Sequence, residues 1–314
     1  NGKDVTTLIE LRARFDEQNN IDWSQRLEEA GCNILYGFDS YKVHSKVCLI
    51  TRKDRSGVQY ITQIGTGNYN DSTAKIYTDL GLFTCNEQFG ADASSLFNVI
   101  TGYSRPPEYK HFIVAPHGMR SFFEYMIRQE TENAKKGLPS GITVKVNSLV
   151  DPKIIELLYE ASKAGVRVQL IVRGICCLIP GIEGVSENIT VMSIVGQLLE
   201  HSRIFRFENA GNPRIYMGSA DWMPRNLDRR VELVFPIEDE TQKARAFGIL
   251  DTMLSDTTNA RFMQSDTSYE HVDLRGKKKI SSQLTFYHEA QARLKELQSI
   301  EKDSVLIPIH SAEE

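Results

Sequence analysis

The feature that most constrains the fold is an internal repeat, in which a set of short motifs occurs twice in the same order. Each copy begins with a His-Ser-(Lys/Arg) triplet, which a glycine-hydroxyl turn follows and a carboxylate in an apolar strand completes. The first copy comprises His44-Ser45-Lys46, Gly65-Thr66-Gly67-Asn68 and Asp79, and the second comprises His201-Ser202-Arg203, Gly218-Ser219-Ala220-Asp221 and Glu232. The period is far longer than that of a solenoid, so the repeat predicts a duplicated lobe.

The two copies lie within a regular alternation of elements. Short apolar runs alternate with amphipathic segments along the chain, which is typical of an α/β fold. The segment Arg105-Pro106-Pro107-Glu108-Tyr109 combines helix breakers with polar residues and predicts a lobe boundary. We therefore expect two α/β lobes, at residues 1–108 and 109–314, each a mixed sheet flanked by helices. The second lobe should end in a C-terminal helix and a loose tail from Asp303.

The composition limits the possible functions. A chain of 314 residues with 41% apolar residues is large enough for two ordinary cores. Its formal net charge of -4 and pI near 6.0 argue against a protein that coats nucleic acid. A polyanionic substrate would therefore have to be held by a local basic pocket.

Cysteine usage and the chain start bear on the cellular compartment. The five cysteines form no C-x-x-C pair, and their odd count suits a reducing compartment better than a disulfide framework. No apolar run approaches the roughly 18 residues of a membrane-spanning helix, and the N-terminus lacks an initiator Met and a signal peptide. We expect a cytoplasmic chain without a transmembrane segment, and a fragment of a longer protein.

The triplets suit phosphoryl transfer. The run Val43 to Thr51 predicts one strand, on which His44 and Lys46 would share a face. A neutral imidazole nitrogen can attack phosphorus, and the phosphohistidine formed divides one transfer into two easier steps. The neighbouring cation, Lys46 or Arg203, would stabilise charge on the phosphate oxygens.

The other repeated motifs offer supporting groups. The glycines would let backbone N–H groups approach a phosphate, and Asn68 supplies a side-chain donor. Asp79 and Glu232 can each accept a hydrogen bond from one ring nitrogen of a histidine, which leaves the other nitrogen free. One isolated H-x-K motif is more often structural than catalytic, whereas two copies in matching order favour catalysis. The remaining histidines lack such neighbours and are expected to be structural or on the surface: His111, His117, His271, His288 and His310.

The paired H-x-(K/R) motifs and glycine turns resemble the phospholipase D superfamily, whose two half-sites face each other across a central cleft. Both copies depart from the full pattern of that superfamily. Thr51 stands where the aspartate after the first H-x-K is expected, and Arg203 replaces the lysine in the second copy. The resemblance implies two phospholipase D-like lobes.

Longer strings resemble the bacterial polyphosphate kinases much more closely. They are A-R-F-D-E at 13–17, G-T-G-N-Y-N at 65–70, Y-T-D-L-G-L at 77–82, G-L-P-S-G-I at 137–142, V-R-G-I-C-C-L at 172–178, S-I-V-G at 193–196, L-E-H-S-R at 199–203 and G-S-A-D-W-M-P-R-N-L-D-R-R at 218–230. This resemblance covers nearly the whole chain up to about Phe262. It implies that the family's N-terminal and head domains, and the start of the first catalytic lobe, lie upstream of Asn1.

The resemblance also implies an activity and residue roles. The family transfers the terminal phosphate of ATP reversibly onto inorganic polyphosphate, with Mg²⁺. His44 matches the histidine that is phosphorylated, and His201 matches a second histidine that assists as acid or base and contacts nucleotide. Tyr77 and Arg173 match nucleotide-binding positions, and Arg14 matches a position at the magnesium and phosphate site.

Three functions remain open on the sequence alone. The first is an ATP:polyphosphate phosphotransferase, whose partners would be ATP, ADP and polyphosphate and whose full-length form would be a homo-oligomer through the upstream domains. The second is a phospholipase D-type phosphodiesterase that uses the same covalent histidine. The third is an inactive fragment that grips polyphosphate without turnover.

Overall fold

A ten-stranded mixed sheet carries most of the core in the computed structural model of this chain. The structure describes residues 2–11, 17–37, 41–55, 57–102, 104–276 and 278–303, with the backbone alone at 54 and 299–303. The strands of the large sheet lie in the order β17-β16-β11-β10-β9-β13-β14-β15-β3, and β8 also pairs with β15. Three smaller sheets, β1-β2, β4-β5-β7 and β12-β6, complete the strand pairing.

The elements of the first half, in chain order, are β1 Thr6–Ile9, α1 Glu17–Glu29, β2 Asn33–Tyr36, β3 Lys42–Val43, β4 Val47–Asp54, β5 Gly57–Gly65, α2 Asp71–Ala74, β6 Tyr77–Thr78, β7 Gly81–Thr84 and α3 Glu87–Ile100. Those of the second half are β8 Ile113–Ala115, α4 Met119–Lys135, β9 Gly141–Val146, α5 Pro152–Lys163, β10 Arg167–Val172, β11 Ile189–Ile194, β12 Leu199–Glu200, β13 Arg203–Phe207, β14 Arg214–Gly218, α6 Pro224–Asp228, β15 Arg230–Pro236, α7 Glu240–Leu254, β16 Ala260–Met263, β17 Tyr269–His271 and α8 Ser282–Asp303. A three-residue 3₁₀ turn at Asn209–Gly211 joins β13 to β14.

The large sheet is covered by helices on both faces. Its parallel strands β9, β10 and β11 are apolar and almost fully buried, as expected for strands with no solvated face. Side chains alternate between the faces, so Leu170 packs in the core beneath α4 and α5, while its neighbour Ile171 packs beneath α3 and α7. Helix α3 of the first half thus covers a sheet that belongs largely to the second half.

Local sequence explains where the helices start. Asp151 caps α5 by accepting a hydrogen bond from the Ile154 amide, and Pro152 takes the first helical position, where a missing N–H does no harm. Asp239 caps α7 in the same way. No helix in the described parts of the chain is long and apolar enough to cross a membrane.

The two halves exchange short strands. From the first half, β3 joins the edge of the large sheet by parallel pairing with β15, with Val43 opposite Val231. From the second half, β12 pairs in parallel with β6, with Glu200 opposite Thr78. Both exchanged strands have two residues, and each ends immediately before the histidine of its triplet. The reciprocal exchange brings the repeated motifs together.

Candidate active site

Each histidine is anchored by the opposite half of the chain. The amides of His44 and Ser45 both donate to the Val231 carbonyl, at 2.8 and 3.0 Å. The amides of His201 and Ser202 both donate to the Thr78 carbonyl, at 3.2 and 3.0 Å. The duplicated sequence therefore produces the same main-chain arrangement twice.

This arrangement corrects the expectation that the triplets lie within strands. The predicted strand from Val43 to Thr51 is interrupted, because β3 ends at Val43 and β4 begins only at Val47. Two successive amides that share one carbonyl break the regular ladder, and the chain then leaves the large sheet for the sheet β4-β5-β7. The predicted continuous strand was thus wrong, although His44 and Lys46 both interact with Glu232.

The carboxylates are also crossed between the halves. His44 Nδ1 lies 2.8 Å from Glu232 Oε2, and His201 Nδ1 lies 2.9 Å from Asp79 Oδ1. We refer to these as the crossed histidine–carboxylate pairs. A carboxylate accepts, so each ring carries its proton on Nδ1 and presents Nε2 as the lone-pair nitrogen.

The hydroxyl of each glycine-hydroxyl turn fixes its carboxylate. Thr66 Oγ1 donates to Asp79 Oδ1 at 2.6 Å, and Ser219 Oγ donates to Glu232 Oε2. Gly67 leaves room for Asp79, because a Cβ at this position would lie 2.6 Å from the Asp79 carboxyl carbon. The turns thus hold the carboxylates that orient the histidines.

The two triplet cations fold back onto their own histidines. Lys46 Nζ donates to the His44 carbonyl, and an Arg203 terminal nitrogen donates to the His201 carbonyl at 2.7 Å. The same Arg203 nitrogen lies 3.1 Å from His201 Nε2, and the guanidinium also pairs with Asp221 at 3.2 Å. Both cations are almost fully buried, at 4% and 3% exposure.

Burial sets the protonation of the His44 half-site. It lowers the pKa of His44 to about 4, and the charges of Lys46 and Arg203 act in the same direction against the raising effect of Glu232. Burial alone would raise the pKa of Glu232, but His44 and Lys46 outweigh it and lower the value to about 2. At neutral pH a neutral imidazole therefore faces a carboxylate anion.

The two half-sites belong to one electrostatic environment. The pKa of His201 is lowered by burial and, in part, by the charges of Arg203 and Lys46. Arg203 in turn lowers the pKa of His44. Since each histidine is affected by the cation of the other half, the strand exchange brings both half-sites into one site.

The expected nucleotide residues lie around His201. The Tyr77 ring is tilted beside the His201 ring, with centroids 4.9 Å apart. Arg173 follows β10, and its Nε donates to Asn147 Oδ1 at 2.8 Å. Asn68 lies exposed in its turn, and Arg14 lies outside the described residues.

Sequence reasoning missed three polar residues next to the site: Asn147, Lys145 and Glu200. Asn147 Nδ2 donates to the His201 carbonyl at 3.1 Å, so one side chain joins Arg173 to the second triplet. Lys145 Nζ donates to the Ser202 carbonyl at 2.8 Å and lies 3.5 Å from Glu200. The sequence signal that could have revealed this group is Lys145, which stands between two valines in the largely apolar strand β9.

The protein groups in the described ranges do not form a metal cage. No cluster of three or more His, Cys, Asp or Glu side chains that could hold an ion is present in them. Asp79 and Glu232 already accept hydrogen bonds from histidine and hydroxyl groups. Mg²⁺ commonly keeps several waters and binds substrate phosphates, so it fits this site only as a companion of a phosphate ligand.

Comparisons with known proteins agree with this architecture. The sequence matches two family models, polyphosphate kinase C-terminal domain 1 over residues 1–106 and polyphosphate kinase C-terminal domain 2 over residues 112–283. The polyphosphate kinase of Lactiplantibacillus plantarum is 50% identical over 295 residues, which are 94% of this chain and 41% of the relative. That of Staphylococcus epidermidis is 45% identical over 314 residues, which are 99% of this chain and 42% of the relative.

A solved structure is also similar to this chain. The crystal structure of polyphosphate kinase from Porphyromonas gingivalis is 36% identical, superposes with a TM-score of 0.85, and covers 93% of this chain and 45% of its own. The α/β fold expected from the alternation of apolar and amphipathic segments is confirmed, and so is the resemblance carried by the longer sequence strings. This chain spans about two fifths of the length of the curated relatives it matches, and within that span it belongs to the polyphosphate kinase family.

Proposed function

We propose that the protein containing this chain transfers the terminal phosphate of ATP reversibly to inorganic polyphosphate through a phosphohistidine at His44. The observation that carries the proposal is the difference between the two Nε2 atoms. His201 Nε2 is held by Arg203 at 3.1 Å, whereas within the described residues His44 Nε2 has no recorded hydrogen bond. The imidazole nitrogen that is free to attack phosphorus is therefore on His44.

In the first step, the lone pair of His44 Nε2 forms a bond to the γ-phosphorus of ATP. The bond from that phosphorus to the bridging oxygen breaks, and its electron pair leaves with ADP. The ring becomes cationic while Glu232, 2.8 Å from Nδ1, holds the Nδ1 proton and stabilises the charge. The buried cations of the triplets stabilise the equatorial oxygens.

In the second step, a terminal oxygen of polyphosphate attacks the phosphorus and the bond to Nε2 breaks. The nitrogen regains its lone pair, and the polymer is longer by one phosphate. When Arg203 turns from His201 Nε2 to a phosphate oxygen, that nitrogen is released. His201, oriented by Asp79, then takes the proton from the attacking phosphate when that group is protonated and returns it to the new chain end. The reverse sequence produces ATP from polyphosphate and ADP.

The substrates are assigned to the two sides of the histidine pair. Tyr77 and Arg173 bind the nucleotide beside His201, while Lys46, Arg203 and Asn68 bind phosphate oxygens. Mg²⁺ enters with the phosphates, with Arg14 as the expected neighbour, and supplies neutralising charge to them.

The deciding experiment is phosphoenzyme mapping in the full-length protein. With γ-labelled ATP, the wild type should carry label on the peptide that contains His44, and label should pass to an acid-precipitable polymer. His44→Ala should abolish the phosphoenzyme because the attacking nitrogen is gone. His201→Ala should slow its formation or turnover by the roughly 10²- to 10⁴-fold typical of lost acid–base help.

His271→Ala is the matched control, because this histidine is exposed in β17 and far along the chain from either triplet. It should leave labelling unchanged. Label on the His201 peptide, with His44→Ala still labelled, would reverse the assignment. A phosphoenzyme without labelled polymer would instead favour a phosphodiesterase, and tight polyphosphate binding without any phosphoenzyme would favour a binding protein.

A further inference from the structure

A buried polar network joins the C-terminal helix α8 to the second half-site. Gln283, near the start of α8, is only 8% exposed. Its Nε2 donates to the Leu198 carbonyl and to Glu200 Oε1, both at 2.8 Å, and its Oε1 accepts from the Leu198 amide at 3.0 Å. Two donor contacts and one acceptor contact fit a single orientation of the amide. Gln283 therefore clamps the strand β12 that leads directly into His201.

Glu200 carries the network from Gln283 to the other side of His201. Its Oε2 accepts from Thr78 Oγ1 at 3.0 Å and lies 3.5 Å from Lys145 Nζ. Lys145 Nζ also donates to the Ser202 carbonyl at 2.8 Å. The network thus holds the residue before His201 through its side chain and the residue after it through its backbone. The Lys145 and Glu200 side chains are each 1% exposed, so neither can reach a substrate.

In the described residues of the first half-site, the equivalent strand is held differently: the Val43 amide donates to Glu10 Oε1 at 2.7 Å. Val43 precedes His44 and lies opposite Val231, in the position that Glu200 and Thr78 occupy in the second half. A glutamate and a threonine are therefore not required at this position for two such strands to pair. Burying a lysine and a glutamate has a desolvation cost that their attraction often fails to offset, so the ion pair is poorly explained as a stabilising device.

The backbone next to Gln283 leaves space for the clamp. Gly196 lies in the string S-I-V-G, and a Cβ added to it would lie 2.4 Å from Gln283 Oε1. Its φ angle is not in the left-handed region, so conformational strain does not require glycine here. Glycine is required at this position because the Gln283 amide approaches it closely.

We propose that Gln283, Glu200 and Lys145 are positioning residues for His201, and that helix α8 is thereby part of the machinery of phosphoryl transfer. The proposal rests on the proposed function, in which His201 supplies acid–base help. By fixing the main chain on both sides of His201, the network keeps Nδ1 against Asp79 and Nε2 beside Arg203, in place for the proton transfer. Misplacing such a ring by about 1 Å can cost up to roughly 100-fold in rate.

The test is a double-mutant cycle in the full-length enzyme. Gln283→Leu keeps the size of the side chain but removes all three hydrogen bonds. We expect it to lower kcat for polyphosphate synthesis by about tenfold or more with little change in KM for ATP. In a His201→Ala background the same substitution should have no further effect, because there is no imidazole left to position. Equal slowing in both backgrounds, or no slowing in either, would overturn the proposal.

The matched control is Gln291→Leu, the same change on an exposed position of the same helix, where the amide donates to the Tyr287 hydroxyl. It should leave kcat unchanged. Gly196→Ala is a second, milder variant that displaces the Gln283 amide from the other side, and it should reproduce the loss of kcat with the same dependence on His201. Thermal unfolding would show whether Gln283→Leu is folded. If it is not, Gly196→Ala alone tests the proposal.

A direct readout does not depend on activity. Diethyl pyrocarbonate modifies accessible neutral imidazoles, and peptide mapping gives the rate at each histidine. Gln283→Leu should raise the rate at His201 and leave the rate at His44 unchanged, and equal rates at His201 in wild type and variant would contradict the proposal. If the wild type forms no phosphoenzyme with ATP, the proposed function fails, while this measurement still tests the network.

Discussion

At the scale of single residues, burial determines which chemical form each reacting group takes. In the proposed mechanism His44 is the nucleophile and has to be unprotonated, and burial keeps it neutral by lowering its pKa to about 4. The same burial makes the neighbouring cation, Lys46, lose its proton more easily. Burial lowers the pKa of Lys46 to about 7, with Arg203 acting in the same direction, although Glu232 and Asp79 partly restore it. A rise in pH therefore favours the nucleophile, which has to be neutral, but removes the charge of the neighbouring cation.

This difference predicts an alkaline limb in the pH profile that belongs to Lys46. Below pH 7 the ammonium is charged, and as the pH rises through its lowered pKa that charge is lost. We expect kcat/KM for ATP to fall above about pH 7, since this parameter reports the free enzyme. In Lys46→Arg the guanidinium stays charged, so the fall should move to higher pH. Arginine fits the geometry, because Arg203 makes the equivalent contact to its own histidine carbonyl.

The measurement is kcat/KM for ATP between pH 6 and 10 in wild type and Lys46→Arg. Lys135→Arg, an exposed lysine at the end of α4, makes the same chemical change away from the site and should keep the wild-type profile. An alkaline limb at the same pH in all three proteins would assign it to another group.

At the scale of elements, the two-residue strands β3 and β12 determine the geometry of the site. The sequence repeat identified the histidines and the carboxylates as sets, and the structure brings both sets together. The repeat could not say which carboxylate faces which histidine, because His44 and Glu232 are 188 positions apart and belong to different halves. It also led to a wrong strand through His44 and Lys46, since the carbonyl that interrupts the strand comes from Val231.

The crossed histidine–carboxylate pairs predict effects that cross between the halves. Glu232→Gln should slow phosphorylation of His44 by roughly 10²-fold or more, because an amide cannot accept from the His44 and Ser219 donors on one side and from Asn226 on the other. Asp79→Asn should instead reproduce the defect of His201→Ala. Single-turnover labelling with γ-labelled ATP measures the first step, and transfer to polyphosphate measures the second.

Glu124→Gln is the control for neutralising a glutamate, because this side chain lies on α4 beside Arg120, away from both pairs. It should change neither step. If Asp79→Asn impaired labelling of His44 in the same way as Glu232→Gln while His201→Ala did not, each carboxylate would not serve the histidine that it contacts.

At the scale of the whole molecule, patterning predicted the elements better than their assembly. The sequence pattern predicts strands over 203–207 and 214–218 and helices over 119–134, 152–164 and 241–254. Strands β13 and β14 have these bounds, and α4, α5 and α7 are within one residue of them at each end. Strand β11 was missed, although its run I-T-V-M-S-I carries the signal, and so were β16 and β17. The lobe boundary at 108 stays a prediction. Assembly was less predictable because α3, β3 and β12 each pack against the other half, and such contacts leave no local trace in the sequence.

Although the net charge of the molecule is -4, several of its cations lie close together. Burial lowers the pKa of Lys46 and of Arg230 against the raising effect of Glu232. Nearby cations lower both values further: Arg203 and Arg230 act on Lys46, and Arg225 and Arg203 act on Arg230. Arg173 is subject to burial and to Arg203 in the same way. Arg225, by contrast, lies exposed on α6. Cations held together against their mutual repulsion create a local field that favours a polyanion.

This field predicts that polyphosphate binding weakens steeply as salt rises, because each neutralised phosphate releases a counterion. Four cations, Lys46, Arg173, Arg203 and Arg230, at about 0.7 per contact for a single strand, give a slope near -2.8 in log K against log salt, or a loss of roughly fiftyfold between 50 and 200 mM. Arg230→Gln should reduce the slope by about 0.7. Arg128→Gln, which removes the same charge from an exposed position on α4, should leave it unchanged. The measurement is a binding titration of the full-length protein with defined-length polyphosphate at several salt concentrations and without nucleotide.

A salt dependence that is flat, or slopes that are equal in the two variants, would mean that the polymer is held by other groups. The unequal slopes expected here would locate the polyanion at the group of cations that includes Lys46 and Arg203, whose charges add to the burial that keeps His44 neutral.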